Sequence, residues 1–326
     1  MVTRPSQLVR PLALPTGQRL RRRVAEHVWS YLFLLPMVAL VGLFVVYPLV
    51  ASVHITLYDW NGIGNPSRYV GLRNFARVLQ DPLFWNAFKN TFLYTAVLVP
   101  VQLTLALALA LVLNNPSLSG RTIYRAVFFA PVVTSAALVG VVMALLFSTV
   151  GNDLSALLMR LGLLQEPVDW LGDARFALPL VILVGIWHTL GYNLVYFLAA
   201  LQSIPRELYE AARVDGAGAL AQFRYVTVPM LRDVGVVILL LAILGSLQVF
   251  DLVLAMTGGG PFFASEVVST YIYHYAFTPA AVQGESNVGY ASAAAFTMGV
   301  LVMGITLVQL LALRARRRAS ASREHD

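Results

Sequence analysis

The chain has 326 residues, of which 58% are apolar and 12% charged, with a formal net charge of +7. Length alone would suggest two soluble domains, but at a mean hydropathy of +0.72 a water-soluble chain cannot hide its apolar surface. The absence of cysteine excludes disulfides, thiolate nucleophiles and cysteine metal sites, and the five histidines (His27, His54, His188, His274, His325) form no metal-binding spacing.

In chain order, residues 1–29 read as a basic tail, flexible or lying on a surface. Six segments then have the length of roughly 20 residues that a helix needs to cross a bilayer core. They run about Ser30–His54, Asn90–Leu113, Ala126–Val150, Phe176–Ala200, Val234–Met256 and Ala291–Leu313. In hydrocarbon the backbone must satisfy its own hydrogen bonds, which predicts helices, and the runs are too continuous for outer-membrane strands. The first span has a long apolar run and no clear small-residue cleavage pattern behind it, so it reads as retained rather than as a signal peptide.

Most of the 23 basic residues fall on one side of these spans. Arg4, Arg10, Arg19, Arg21, Arg22 and Arg23 precede the first span. Arg121 and Arg125 lie between the second and third, and Arg206, Arg213, Arg224 and Arg232 between the fourth and fifth. Arg314, Arg316–Arg318 and Arg323 follow the sixth. Such a bias places both termini in the cytoplasm, and an even number of spans agrees. The clusters sit beside apolar runs as topology signals do, so nucleic acid is not an expected partner whereas membrane lipid is. The expected organisation is a tail over 1–29, a transmembrane domain over 30–313 and a basic tail over 314–326.

Of the outward loops, residues 55–89 carry Phe75, Val78, Leu79, Phe84, Trp85 and Phe88 at roughly helical spacing. One or two short helices follow, either lying at the membrane surface or packed as a closing loop. Residues 151–175 offer no distinctive signal. The TGGGP run at 257–261 predicts a turn, and VVSTYIYHYAF at 267–277 a short helix packed on the bundle.

The loop over 201–233 is far longer than a connector needs. Ser203 is placed to cap a helix with Pro205 in its first turn, and Glu207 and Glu210 lie near that helix's positive end. Ala211 and Ala212 favour helix, and Gly216 and Gly218 end it. A second short helix is expected over about Ala219–Tyr225, with Pro229 turning the chain before it re-enters the bilayer. The result is a helix–turn–helix with a smooth alanine face that fits a partner's groove.

The run EAARVDGA, Glu210 through Ala217, followed by Phe223 and Pro229, resembles the signature loop of binding-protein-dependent ABC importer permeases. Asp233 stands where that pattern often has a second proline. LYDWNG at 57–62, YVGLRNF at 69–75, NAFKNT at 86–91, YRAVFFAP at 124–131, ALQSIPRELYEAA at 200–212 and TGGGP at 257–261 resemble the carbohydrate-uptake branch, the maltose-type and glycerol-phosphate-type permeases. The resemblance covers nearly all of residues 30–313. It implies an all-α, six-helix inner-membrane permease in which Glu207, Glu210, Ala211, Ala212, Asp215, Gly216, Ala217 and Pro229 form the ATPase-coupling loop. Glu210 would make the polar contact and Gly216 the turn. It further implies a second homologous permease, two cytoplasmic ATPase subunits that hold the ATP and Mg, and an extracytoplasmic solute-binding protein. The chain has no phosphate-binding loop, so hydrolysis would belong to the partner.

Polar residues within the spans tend to mark pathways. Trp187 and Tyr192 offer rings for a sugar to stack on, and His188, Thr189, Asn193, Ser246 and Gln248 offer hydrogen bonds. Helix-to-helix hydrogen bonding explains the same residues equally well. The spans hold no cation beyond His188 if charged, which favours a neutral sugar over a phosphate ester; the alternative cargo is glycerol phosphate or another polar metabolite. Asp251 falls near the outward end of its span, where water reaches it. A membrane enzyme would gather acid, base or metal groups at one face, and a scaffold would need no folded signature loop.

Overall fold

The computed structural model describes residues 28–278 and 286–323. The tail expected over 1–29 lies almost wholly outside the described residues, as do His27, His325 and the last three residues. Contacts divide the chain into two units, 1–54 and 55–326.

In the first unit, α1 (Val28–Val41) runs through one π-helical turn (Gly42–Val46) into α2 (Tyr47–Ile55). Its described side chains are apolar on every side and none of those in the π turn or α2 is buried. Such an all-round apolar helix suits hydrocarbon.

The second unit opens with a two-strand ribbon, β1 (Tyr58–Asp59) paired antiparallel with β2 (Arg68–Tyr69). Then come α3 (Arg73–Gln80), α4 (Pro82–Leu113), α5 (Arg121–Val133), α6 (Ala136–Arg160) and α7 (Ala177–Gln202). The loop helices are α8 (Arg206–Val214) and α9 (Ala219–Gln222). A π-helical turn (Phe223–Thr227) joins α9 to α10 (Val228–Leu247), followed by α11 (Asp251–Met256), α12 (Val268–Phe277) and α13 (Val288–Arg323).

Five helices among the described residues are long and apolar enough to cross a bilayer: Ser30–Ile55, Pro82–Leu113, Ala136–Arg160, Ala177–Gln202 and Ala219–Leu247. The sixth expected span falls in α13, whose described apolar stretch, Val288–Gly304, is shorter. The chain is thus an all-α polytopic membrane protein with about five clear spans.

Three expectations are corrected. The third span does not start at Ala126, because the helix breaks at Thr134 and Ser135, both in extended backbone just after Pro131. The fifth span breaks at Gln248–Phe250 instead of running unbroken to Met256. Pro229 does not redirect the chain: the helical path from Ala219 to Leu247 is continuous, and the π turn at Phe223–Thr227 that directly precedes the proline accommodates its missing N–H.

The core is built along α7, the most buried of the five spans. Leu178, Val181, Ile182 and Val184 pack on Tyr94, Leu98 and Val99 of α4, with Val139 of α6 and Leu252, Val253 and Met256 of α11 closing the cluster. Lower along the same helix pair, Leu194, Phe197, Leu198 and Leu201 meet Ala106, Ala110 and Leu113. Small residues set the closeness of these crossings. A Cβ at Gly191 would lie 2.6 Å from the Phe128 carbonyl oxygen, so α5 lies directly on α7 there.

Helices in the expected outer loops form a third cluster. Val78, Phe84 and Ala87 pack against Val268, Tyr271, Tyr290, Ala293 and Ala294. Leu79 and Trp85, expected on the same apolar face, are instead half exposed. The TGGGP run is a turn: Gly258 and Gly259 have φ of +59° and +82°. It is tied down from α4, where Asn90 Nδ2 reaches the carbonyls of Ala264 (3.1 Å) and Glu266 (2.9 Å), and Asn86 Nδ2 that of Phe263 (2.7 Å).

Candidate solute pathway and coupling loop

A cavity of about 440 Å³ opens where α4, α7 and the α10–α11 break converge. Six of the seven residues proposed from sequence line it: His188, Thr189, Tyr192 and Asn193 on α7, Ser246 at the end of α10, and Gln248 in the break. Trp187 does not. It points to another face of α7 and is 45% exposed, because one residue along a helix turns the side chain by about 100°.

Three further polar lining residues, Tyr94, Gln102 and Tyr196, were not singled out from sequence. Tyr94 and Gln102 stand on α4 one helical face apart from its lipid-like positions, and Tyr196 extends the α7 face that carries Tyr192. The signal was present as Gln102 and Tyr94 inside an otherwise apolar run, eight residues apart and so on one side of a helix. Phe250 and Asp251 complete the wall.

Hydrogen bonding divides the lining residues into structural and available groups. His188 is 8% exposed, and its Nε2 lies 3.1 Å from the Thr134 carbonyl. A carbonyl only accepts, so Nε2 carries the hydrogen. The bond satisfies the backbone group freed by the break between α5 and α6, which hydrocarbon would otherwise leave unpaired. The residue is thus a strut as much as a lining group. Thr189 Oγ1 lies 2.5 Å from Gln102 Oε1 and 2.7 Å from the Gly185 carbonyl. Its single hydrogen serves one of these at a time, so turning the Gln102 amide exchanges the pattern. Ser246 Oγ donates to the Ile243 carbonyl at 2.9 Å and holds the last turn of α10 before the break.

The loop between α7 and α10 is folded as a hairpin. No residue of α8 is buried, and Glu207, Glu210, Ala211 and Asp215 stand exposed. Ala212 and Ala217 are half-buried and joined by a backbone bond of 2.8 Å that closes the helix end. Gly216 has φ +79°, where a side chain would be strained. Gly218 has φ −68° and needs no glycine. Ser203 does not cap α8: its hydroxyl donates back to Ala200, and Pro205 occupies the cap position. Behind the hairpin Tyr209 Oη and Thr227 Oγ1 meet at 2.9 Å, and Gln222 Nε2 donates to the Ala217 carbonyl at 2.8 Å.

Sequence reasoning missed the apolar character of the hairpin surface. Val214, Leu220 and Tyr225 are 88%, 80% and 75% exposed. Three large apolar side chains thus stand open around the turn.

Long apolar helices around a cavity that holds several polar side chains, with a folded loop at one end, define a polytopic membrane protein. Residues 102–318 match the family of binding-protein-dependent transport system inner membrane components. The lactose transport system permease protein LacF of Rhizobium radiobacter is 33% identical over 94% of this chain and 100% of its own length. The diacetylchitobiose uptake system permease protein NgcF of Streptomyces coelicolor is 34% identical over 92% of this chain and 86% of its own. A chain of the bacterial ABC transporter that imports the acidic polysaccharide alginate superposes with a TM-score of 0.74 at 24% identity, covering 89% of this chain and 96% of that one. The chain belongs to the binding-protein-dependent inner-membrane component family and is the permease subunit of an ABC importer, a multi-pass protein of the inner membrane. It is not itself the ATPase, and among the described residues no cluster could hold a metal ion.

Proposed function

We propose that this permease carries a neutral sugar or oligosaccharide across the cytoplasmic membrane by alternating access. The observation that carries the proposal is the cavity at the α10–α11 break, whose mostly apolar wall holds the side chains of Tyr192, Asn193, Thr189, Gln102, Ser246 and Gln248. Rings and amides in one cavity suit a polyhydroxyl solute, and a broken helix is tolerated in a bilayer where it lines a cavity. The lactose and diacetylchitobiose permeases among its relatives support a sugar cargo.

In this reading six helices cross the membrane, α13 being the last, with both termini in the cytoplasm. Residues 30–313 form the transmembrane domain between two basic tails. A second homologous permease completes the pathway, a solute-binding protein delivers cargo from outside, and two cytoplasmic ATPase subunits hold ATP and Mg. The hairpin with Glu207, Glu210, Asp215 and Gly216 docks on one of those ATPases. Ala211, Ala212 and Ala217 keep its face low, and Pro229 starts the helix that transmits the push.

The test is co-purification from membranes in which the chain is expressed with its neighbouring genes, with intact masses read from the eluate. Recovery of a second permease and an ATPase is expected, together with loss of the ATPase alone in Glu210→Lys. Recovery of the chain alone, or of an unrelated partner, would overturn the reading.

A further inference from the structure

We infer that Asp251 is a charge filter in the pathway, admitting neutral and cationic glycosides and rejecting anionic ones. The inference rests on the reading of the cavity as the solute pathway. Asp251 is the only formally charged residue in the lining, which contains no lysine or arginine. It is exposed, and no hydrogen bond or ion pair to its carboxylate occurs among the described residues. His188, the one residue of the lining with a titratable nitrogen, is turned into the wall by its bond to the Thr134 carbonyl.

A carboxylate at the first position of a short helix is also favoured by the helix end. That accounts for an acidic residue at the start of α11 but not for its opening into a cavity. With no lysine or arginine in the lining to offset it, the carboxylate repels a uronate or phosphate ester that passes it. The fold itself leaves cargo charge open, since the alginate transporter of the same fold imports an acidic polysaccharide. The sign is set by side chains, and in this chain by Asp251.

The chain has no cysteine of its own, which gives a direct test without knowing the cargo. Gly245 and Ser246 line the same cavity, and a Cβ at Gly245 meets nothing within 4 Å. Gly245→Cys and Ser246→Cys are each made in the assembled importer in liposomes, with and without Asp251→Asn. Modification of this chain by sulfonatoethyl, trimethylammonium-ethyl and neutral methyl methanethiosulfonates is followed by intact mass. With Asp251 present, the cationic-to-anionic rate ratio should exceed that of a free thiol by about tenfold. Asp251→Asn should return it to the free-thiol value. A ratio indifferent to Asp251→Asn would overturn the filter and leave the pathway standing. Failure of the neutral reagent to reach either cysteine would overturn the pathway reading itself.

Discussion

Tyr271 donates its phenolic hydrogen to Asp81 at 2.6 Å, joining the start of α4 to a helix 190 residues further along the chain. Tyr290 and Tyr275 approach the same carboxylate oxygen at 2.8 and 3.3 Å, while Tyr271 and Tyr290 hydroxyls lie 2.6 Å apart. Each hydroxyl has one hydrogen, so with Tyr271 donating to Asp81 the Tyr290 hydrogen is shared between the carboxylate and the Tyr271 oxygen. Arg77 stacks over the Tyr290 ring at 4.8 Å, which brings a positive charge beside the group. The cluster pins α3, α4, α12 and α13 together at one end of the bundle.

Burial opposes the charge on Asp81, but the hydrogen bonds from Tyr271, Tyr290, the Leu83 N–H and Tyr275 outweigh it and hold its carboxyl below the usual carboxylate range. The folded state therefore binds this proton less readily than the unfolded chain does. The stabilisation is full above the unfolded value of about 3.9 and is lost as pH falls through the lower folded value. Asp81→Asn should lower the melting temperature in detergent near about pH 6, and the gap to wild type should narrow on going toward about pH 3. A gap that widens on acidification would show that the carboxylate does not stabilise the cluster.

Close crossing of α5 and α7 depends on Gly191, which has no room for a side chain against the Phe128 carbonyl and Val132. Gly191→Val should cost about 1–3 kcal/mol through overpacking and reduce the yield of folded permease. Gly245→Ala, at a position with open space, serves as the comparison and should leave thermal stability within about 0.5 kcal/mol. Equal melting temperatures for the two variants would refute the packing argument.

How much of this was legible in the sequence follows from what each feature depends on. Apolar length marks a span whatever surrounds it, so α7 falls within two residues of its expected ends. Breaks within apolar runs are invisible to hydropathy, because Thr134, Ser135 and Gln248 differ little from polar residues that helices tolerate. They are stabilised by partners far along the chain, as His188 stabilises the carbonyl of Thr134. Of the six lining residues named in advance, five came from polar character and Tyr192 from its ring. Trp187 failed because an aromatic's direction depends on its register around the helix, one step from His188. The hairpin's charged and glycine positions were readable as a motif, whereas the exposure of Val214, Leu220 and Tyr225 appears only once the fold leaves them without neighbours.

Those three side chains carry the next prediction. A surface that docks on a partner loses affinity when an apolar anchor is replaced by a charge, while a merely exposed residue does not. Leu220→Asp and Val214→Asp should each weaken retention of the ATPase at least about tenfold and leave the permease pair intact. The readout is the ATPase-to-permease ratio in the purified complex, with the melting temperature as a check on folding. Unchanged retention in both variants would place the docking surface elsewhere.

Gln102 and Trp187 separate a cavity role from a helix-face role. Gln102 is 2% exposed and stands within hydrogen-bonding distance of Thr189 on the cavity wall. Gln102→Leu keeps the volume but removes an amide, leaving Thr189 bound only to the Gly185 carbonyl. Loss of one such polar contact to a solute, about 1 kcal/mol, corresponds to roughly fivefold in KM for uptake. Trp187→Ala, on a face outside the cavity, should leave KM within about twofold while altering how the chain packs in the assembled importer. Initial-rate uptake in proteoliposomes, with the solute that the binding protein delivers, compares the two directly. A larger rise for Trp187→Ala than for Gln102→Leu would move the pathway to the other side of α7.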